Sequence, residues 1–434
     1  MLYEHALRHS DRRSTVIRSV ADLTAALEMP GMLDLHIEGT LDDVPTLRLR
    51  PGQALRAAGD GAALKFLSGH DGVRLCCDNA VAGLALWAEP SRRAVFNDET
   101  VPNLGRLSLA GLRVSGQVQI IARAAVRAGH VDVDGLDIEA ADTRARDDLP
   151  GGLDAEVLQG AFTLWNRQAD STSVISARLK GLSAGREGAP VLGSGILVAG
   201  GGNAGGRVVA TVLQTGAVHS HGMIDVESAG RISGGVFAAP GAFVGVVRNQ
   251  GPVVTYGAHD MVLDNWGTVN DWIAEAPLTS YGAHGVGVVN LGTLHALEVR
   301  APIETFGPGA RGFHLHEGKL GRATFDRITT HGDGATGVQI SQPMGRLVVR
   351  RGIQTMGGSG SSMVRGVKTL LSAVGLSIRP GAAVAEVDIV GGLLTRGPGS
   401  APLELYGEAG DFRVSGGFVG AGCADSSQSA TAAR

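Results

Sequence analysis

The sequence predicts an all-β fold, a single right-handed parallel β-helix with coils of about 25 residues and an N-terminal capping helix. Three observations lead to this prediction. The C-terminal half contains four consecutive 25-residue units with no gap between them. Like positions in these units carry like residues, above all a hydroxyl at position three and a glycine at position five. The composition, with 66 glycines and 4% aromatic residues, is typical of many short strands joined by tight turns.

Seven units share the repeat pattern. Five of them have 25 residues, whereas the first and the sixth have 35 and 40 residues. The units begin at Val218, Val253, Leu278, Ile303, Ile328, Ile353 and Leu393. Because the two longer units open in the same way as the others, their extra residues are predicted to be loop insertions of 10 and 15 residues.

Two positions of the unit are nearly invariant in chemical character. Position three carries Ser220, Thr255, Ser280, Thr305, Thr330, Thr355 and Thr395, and position five carries Gly222, Gly257, Gly282, Gly307, Gly332, Gly357 and Gly397. Coils that stack at about 4.8 Å place like residues in columns, with Thr255 over Ser280 and Asn265 over Asn290. The glycine fits a turn that needs either a positive φ or the close passage of another backbone segment.

The N-terminal part is less regular. Ser19 as N-cap, with Asp22 three residues later, predicts a helix that ends before Pro30 and Gly31. We therefore divide the chain into a cap with a short helix (1–40), irregular coils (41–217), regular coils with two insertions (218–418) and a disordered tail (419–434). Residues 140–160 are predicted to form a loop between the two kinds of coil.

Charge and composition exclude several classes of partner. The net charge is −4, so no overall positive field attracts a phosphate backbone, and nucleic acid is not expected as a partner. No apolar stretch reaches the length of a membrane span and the N-terminus has no secretory pattern, so no membrane partner is expected. The three cysteines, Cys76, Cys77 and Cys423, lack metal-binding spacing. We therefore predict a cytoplasmic location.

A helix followed by the strand sequence LDLHIEGTL, which starts at Leu33, and then by coils resembles the pectate-lyase-like right-handed β-helix superfamily. The resemblance covers most of the chain as architecture and identifies no specific family. It implies a helical solenoid whose open end needs a cap, because that end exposes both the core and unpaired strand edges.

The two insertions predict where function resides. Both follow the position-five glycine, so they are expected to form walls on one edge of the solenoid, with a floor of roughly 15–20 Å between them. Eight of the 13 histidines lie between His219 and His331. The candidate catalytic residues on this floor are His259, Asp260, His284, Arg311 and Asp333, with His314 on the strand that follows. The alternative is that they are ordinary solvated turn residues.

The strand after this turn supplies a second row of candidates. Val288 and its equivalents at positions 11 and 13 are predicted to face the core, so positions 12 and 14 should face outward. The candidate substrate-binding residues on that outward face are Trp266, Asp264, His316, Gln339 and Tyr406, accompanied by Arg379 and Glu404. An exposed tryptophan beside polar groups suits a flat, polyhydroxylated ligand such as a carbohydrate. Alternatively, Trp266 packs under a neighbouring loop.

Two His-x-His pairs, His219/His221 and His314/His316, place both imidazoles on one face of a strand. A divalent metal is therefore a possible cofactor, but the sequence offers no third ligand, and surface histidines are the other interpretation. No metal ligand is assigned.

The segment from Tyr256 to Asp260 (YGAHD) is similar to the motif of β-helix alginate epimerases, although it lacks the internal Asp-Pro. Tyr281-Gly-Ala-His284 repeats the segment one coil later, as decoration of the repeat would. Neither the paired aspartates of polygalacturonase-like hydrolases nor a serine nucleophile elbow is found.

Two functional hypotheses follow. In the first, the protein is a lyase-like or epimerase-like enzyme that acts on a polar, acidic, extended carbohydrate. His259, His284 or His314 would be the base, and Arg311 would stabilise the developing charge. Residues 300–351 support an acidic substrate, with eight Lys and Arg against four Asp and Glu. In the second, the protein is a non-catalytic β-helix that assembles into homo-oligomers or with other partners.

Overall fold

A computed structural model describes residues 13–31, 33–152, 155–228, 230–364 and 367–420. Its chain forms an all-β parallel β-helix, which confirms the predicted fold class. A typical coil contributes one short strand to each of three parallel ladders. Ladder 1 contains positions one to three of the repeat, ladder 2 the segment after the glycine turn, and ladder 3 the end of the unit.

Ladder 2 forms a sheet of its own along the solenoid. Its strands are Leu47–Arg48, Val73–Leu75, Arg93–Asn97, Gln117–Ala122, Gly160–Asn166, Ser194–Ala199, Arg231–Ala238, Asp260–Asn265, Val286–Asn290, Arg311–Leu315, Thr336–Ile340, Val374–Ile378 and Ala401–Leu405.

Ladders 1 and 3 join where strands run through the corner between them. Four long strands do so, Asn103–Ser115, Ala128–Ala140, Val174–Ala184 and Arg207–His221. The other strands of ladder 1 are Thr40–Val44, Ala63–Phe66, Ala85–Trp87, Val191–Leu192, Val253–Thr255, Leu278–Ser280, Ile303–Thr305, Ile328–Thr330, Ile353–Thr355, Leu393–Thr395 and Phe418–Val419. Those of ladder 3 are Arg13–Ile17, Leu33–Ile37, Ala54–Ala57, Ala80–Ala82, Ala242–Asn249, Thr268–Ala274, Thr293–Val299, Lys319–Phe325, Met344–Val349, Ala383–Ile389 and Glu408–Val414.

The continuous corner explains why residues 41–217 look irregular in sequence. In the long strands, glycines with positive φ bend the chain without ending the strand, and Gly135 stacks on Gly111. The regular coils instead break the corner with a proline such as Pro277 or Pro302, which cannot donate a hydrogen bond to the ladder. The repeat can therefore be recognised in the sequence only where a proline interrupts the strand at the corner.

The predicted columns are confirmed by the register of the strands. Thr255 pairs with Ser280 of the next coil, and the pairing continues from each coil to the next through Thr305, Thr330 and Thr355. These hydroxyl groups are buried inside the solenoid. Asn265 likewise stacks on Asn290, with its Nδ2 donating to the Asn290 Oδ1 at 2.7 Å.

The position-five glycines serve the second of the two predicted purposes, close backbone passage. A Cβ on Gly282 would lie 1.7 Å from the carbonyl oxygen of Gly257, and one on Gly307 would lie 1.9 Å from that of Gly282. From Gly282 onward, any side chain at this position would therefore collide with the backbone of the coil before it, whereas at Gly222 and Gly257 the added Cβ would meet the Asp260 carboxylate.

The helix spans Val20–Glu28, and Ser19 caps it by accepting the backbone N–H of Asp22 at 3.1 Å, as predicted. Leu23, Ala26 and Leu27 of the helix are buried in the main core at the N-terminal end of the solenoid. A strand of ladder 3, Arg13–Ile17, already precedes the helix and pairs with Leu33–Ile37. At the other end, Phe418–Val419 still belongs to ladder 1, and residues 421–434 of the predicted tail (419–434) lie outside the described residues.

Two further strand pairs lie outside the ladders. Gly151–Gly152 pairs antiparallel with Ala155–Val157, and Ala155–Val157 also extends the edge of Arg231–Ala238. Val157 belongs to a second apolar cluster on the outer face of ladder 2, together with Trp165, Phe237 and Trp266. The segment that was predicted as a plain loop therefore covers part of ladder 2. The second pair is the hairpin Gly360–Val364 and Val367–Leu371.

Candidate functional site

Both insertions leave the solenoid at the corner between ladders 1 and 2. The first occupies the chain between Gly222 and the strand Arg231–Ala238, and the second is the hairpin after Gly357. The four uninserted coils lie between them, in the order the sequence predicted. The candidate site is the floor formed by this corner and the adjoining outer face of ladder 2.

His259 and His284 occupy the same position of consecutive coils on this floor. Their rings stack with centroids 5.1 Å apart, and the His259 Nε2 lies 2.9 Å from the carbonyl oxygen of Val226 in the first insertion. Both residues have a left-handed backbone with φ of 58°. The equivalent position is glycine in the next two coils, as Gly309 and Gly334 with φ of 65° and 67°. The turn thus requires a conformation that glycine adopts freely and that histidine adopts at a cost.

Arg311 begins the next strand and adjoins this histidine pair. Its backbone N–H bonds the carbonyl oxygen of Gly285, the residue after His284. Burial lowers the pKa of His284 from its ordinary value, and the charges of His259 and Arg311 lower it further. His284 is therefore neutral at neutral pH, as a general base must be. Arg311 forms no ion pair with any described carboxylate.

A hydrogen-bonded chain runs from Arg311 along the outer face of ladder 2. The Arg311 Nε donates to the Gln339 Oε1 at 3.0 Å, and the Gln339 Nε2 donates to the His314 Nε2 at 3.1 Å. Burial lowers the pKa of His314 well below its ordinary value, with smaller contributions from Arg311 and His316. His314 is therefore neutral, and its accepting nitrogen is already occupied by Gln339.

The remaining predicted residues extend this polar surface. His316 is half-buried, with its ring centroid 4.7 Å from that of His314. Three coils further on, Tyr406 is 60% exposed beneath the guanidinium of Arg379, and the Ser377 hydroxyl donates to Glu404 at 2.9 Å. The structure thus places His259, His284, Arg311, Gln339 and His316 on one surface with Tyr406 at its far end, whereas His314, bonded to Gln339, is buried.

Asp260 does not face the floor. It is fully buried, and its carboxylate accepts the Gly257 N–H at 2.7 Å, the Gly222 N–H at 3.1 Å and the Ser233 hydroxyl at 2.6 Å. Burial raises the pKa of Asp260, and these hydrogen bonds oppose the rise. The prediction of a catalytic Asp260 on the floor is wrong because the carboxylate supplies acceptors to the N–H groups of two glycine turns.

Asp264 and Trp266 face outward as predicted, but both are buried, and for Trp266 this agrees with the alternative that it packs under a neighbouring segment. They are 1% and 7% exposed, because Trp266 packs against Phe237 in the apolar cluster on ladder 2. Burial raises the pKa of Asp264 well above its ordinary value, and only the indole of Trp266 opposes this rise. Burial thus favours the protonated form of Asp264, and its side chain is out of reach of a ligand on the floor.

Asp333 is exposed, but its carboxylate has a structural partner. The Oδ1 accepts the backbone N–H of Gly358 at 2.8 Å, at the base of the second insertion. Asp333 therefore secures one wall of the site and lies apart from the histidine pair.

The His-x-His pairs make other contacts. The His219 Nδ1 lies 2.9 Å from the Tyr256 hydroxyl, and the His221 Nδ1 accepts the N–H of Met223 at 3.0 Å. Among the described residues, no group of three or more His, Cys, Asp or Glu side chains could hold a metal ion. In the same part of the chain, no helix is long and apolar enough to cross a membrane.

One feature of the site escaped the sequence interpretation. Tyr256, Tyr281, Phe306 and His331 form a continuous stack of rings, with centroids 5.5, 5.1 and 4.4 Å apart. The stack runs beside the histidine pair, and Tyr281 is 49% exposed. The signal was present as aromatic residues at position four of four consecutive units, directly before the conserved glycine.

The candidate site therefore consists of a polar floor with two histidines in a left-handed backbone and with Arg311, which forms no ion pair with a described carboxylate. Comparison of the chain with family models, with curated proteins and with solved structures finds no match.

Proposed function

We propose that the protein is a lyase-like or epimerase-like enzyme that acts on an acidic, extended carbohydrate at the corner between ladders 1 and 2. The observation that carries this proposal is the stacked pair His259 and His284, held in a left-handed backbone beside Arg311. Strained non-glycine residues gather at functional sites, and the next two coils satisfy the same turn with glycine. The parallel β-helix architecture, with a helix packed at the N-terminal end of the solenoid, also supports membership of the pectate-lyase-like superfamily.

Arg311 supplies the recognition of the acid. Its guanidinium is half-buried and forms no ion pair with a described carboxylate, and one of its nitrogens is held by Gln339. A uronate carboxylate neutralises the positive charge of such a guanidinium and accepts two parallel hydrogen bonds from it. Neutralising that carboxylate acidifies the neighbouring C–H bond, because the charge that develops on its oxygens is stabilised.

His284 supplies the base. Its imidazole takes the proton from the carbon next to the carboxylate, and the electron pair of that C–H bond forms a carbon–carbon double bond. The glycosidic C–O bond at the next carbon breaks, and the imidazolium returns the proton to the leaving oxygen, so that atoms and charges balance. In epimerisation, a solvent water instead gives a proton to the opposite face of the same carbon, and the imidazolium returns its proton to the hydroxide that this leaves.

Single substitutions test this proposal. We expect His284→Ala and Arg311→Gln each to lower the rate of formation of unsaturated or epimerised product on a panel of oligouronates by about 100-fold or more. Arg322→Gln is the matched control, because Arg322 is an exposed arginine on ladder 3. Full activity of both site variants, or no product with the wild-type protein on any uronate, would contradict the proposal.

A second candidate function, assembly without catalysis, has an observation of its own. In the last described coil, Leu403, Phe412, Val414 and Phe418 pack on the core while remaining partly exposed, and Val419 is 50% exposed. Among the described residues, no further strand pairs with the edges of this coil, so they offer a surface for another chain. Light scattering after size exclusion separates the two functions, because Phe412→Asp should dissociate an oligomer formed there and leave the histidine site unchanged.

A further inference from the structure

A second cleft lies on the outer face of ladder 2, far from the histidine pair. Residues 145–148 cover the strands Arg93–Asn97 and Gln117–Ala122 and enclose a cavity of about 300 Å³. Phe96 and Gln119 form its floor, and Arg93, Arg123 and Arg146 contribute to its walls. A volume of this size accommodates one sugar ring or a comparable small molecule.

The cleft is remote from the proposed active site along the solenoid axis. Gln119 and His314 belong to one column of outward residues on ladder 2, and six successive strand pairings separate them. At about 4.8 Å per pairing, the separation is about 29 Å. A ligand in the cleft therefore does not touch His284 or Arg311.

Arg146 differs from the other arginines of the cleft. Arg93 is paired with Asp71, and Arg123 is paired with Glu99 at 2.7 Å and with Asp148 at 2.8 Å. Arg146 donates from its Nε to the Gln117 Oε1 at 2.8 Å and forms no ion pair with any carboxylate of the described residues. Its remaining guanidinium nitrogens are thus free of a fixed negative charge.

Glu99, Asp147 and Asp148 line the cleft together with the three arginines, but the charges that act most strongly on Arg146 are mainly positive. Burial lowers the pKa of Arg146, and the charges of Arg93, Arg92 and Arg123 lower it further, while Asp71 opposes them. Asp71 is itself engaged by the guanidinium of Arg93. An unpaired, half-buried cation among other cations is costly, and a bound anion relieves that cost.

The cleft is held in shape by neutral amides. The Gln119 Nε2 donates to the Gln159 Oε1 at 2.7 Å, and the Gln159 Nε2 donates to the carbonyl oxygen of Asp148 at 2.5 Å. Both glutamines are buried. These bonds fix the covering segment over the strands, so Arg146 is positioned before any ligand arrives.

We propose that this cleft is a binding site for the oxyanion of a small ligand of sugar size, with the Arg146 guanidinium as its principal partner. Carboxylate and sulfate share the required chemistry, because each presents two oxygens to the planar guanidinium. A uronate uses the cavity more fully than sulfate, since it adds a sugar ring to the carboxylate.

Isothermal titration with the full chain tests this site directly. Galacturonate and inorganic sulfate are the two oxyanion probes, and galactose is the neutral match of the first. We expect at least one oxyanion to bind the wild type, and Arg146→Gln to weaken that binding by about tenfold or more. Galactose should bind the wild type no more tightly than it binds Arg146→Gln. The probe that binds more tightly shows whether the site prefers a carboxylate or a sulfate.

Arg144→Gln is the matched control, because Arg144 lies two residues away in the same segment, is exposed and is already paired with Asp142 at 2.7 Å. We expect it to bind as the wild type does, with an unchanged melting temperature in both variants. Equal binding by Arg146→Gln and the wild type, or no oxyanion binding at all, would overturn this site. Arg311→Gln should leave this binding intact, so failure of the proposed enzymatic function is distinguishable from failure of the cleft.

Discussion

His259 and His284 lie one coil apart with their rings stacked at 5.1 Å, and both have a backbone φ of 58°. Gly309 and Gly334 hold the same position in the following coils. A turn that prefers glycine therefore carries two imidazoles beside Arg311. Backbone strain of this kind is expected where the side chain serves a functional site on a repeat scaffold.

The backbone cost at this turn leads to a stability prediction. We expect His284→Gly to unfold at the same or a higher denaturant concentration than the wild type, because glycine adopts the left-handed conformation without steric penalty. His284→Val should lose about 1–2 kcal/mol, since a β-branched residue is poorly tolerated there. Chemical denaturation measures both, and a His284→Gly variant more than about 1 kcal/mol less stable than the wild type would contradict the account.

Asp264 predicts how stability depends on pH. Its pKa is raised in the folded state, so its contribution is fully present below the pKa of the unfolded chain and is lost as pH rises through the folded value. Between those two values the wild type should lose up to about 1.4 kcal/mol per pH unit from this group.

Asp264→Asn removes the ionisation while keeping the size of the side chain. We expect the variant to be more stable than the wild type at neutral pH and to lose this part of the pH slope. Asp411→Asn, at an exposed position, is the control and should retain the wild-type slope. Parallel curves of unfolding free energy for wild type and Asp264→Asn as pH rises from about 4 to neutral would show that the carboxyl group is not buried as described.

The glycine column predicts a contrast between two alanine substitutions. Gly282→Ala places a Cβ 1.7 Å from a backbone oxygen of the preceding coil, so we expect a loss of about 2–3 kcal/mol or more. Gly59→Ala, where no atom lies within 4 Å of the added Cβ, should change stability by less than about 0.5 kcal/mol. Thermal unfolding of both variants gives the comparison, and equal melting temperatures would be inconsistent with coils stacked in this register.

The coil stacking was predictable because it is written at fixed intervals. Thr255, Ser280 and Thr305 recur every 25 residues, and a β-helix converts that period directly into a column. The direction of the ladder 2 side chains was predictable for a similar reason, since neighbours in a strand alternate between faces. Val288 and Phe313 lie in the core, and His314 and Gln339 lie on the outer face.

Exposure was harder to predict than direction. Trp266 and Asp264 face away from the core, but both are buried. Trp266 belongs to an apolar cluster that also contains Val157, a residue more than 100 positions earlier in the chain. That contact depends on the path of residues 142–157, which carries no repeat signal. Asp260 was misjudged for a local reason, because its sequence gives no sign that its carboxylate accepts N–H groups from the glycine turns of two coils.

The central claim is that the floor beside His259 and His284 recognises a carboxylate. Its most direct measurement is the dissociation constant of the wild-type protein for an oligouronate and for the same oligomer fully methyl-esterified, by isothermal titration. We expect the acid to bind about tenfold or more tightly than the ester, because only the acid can neutralise Arg311, and we expect Arg311→Gln to remove the difference. Equal affinity of the wild type for acid and ester, or a preference for the acid that survives in Arg311→Gln, would contradict the claim.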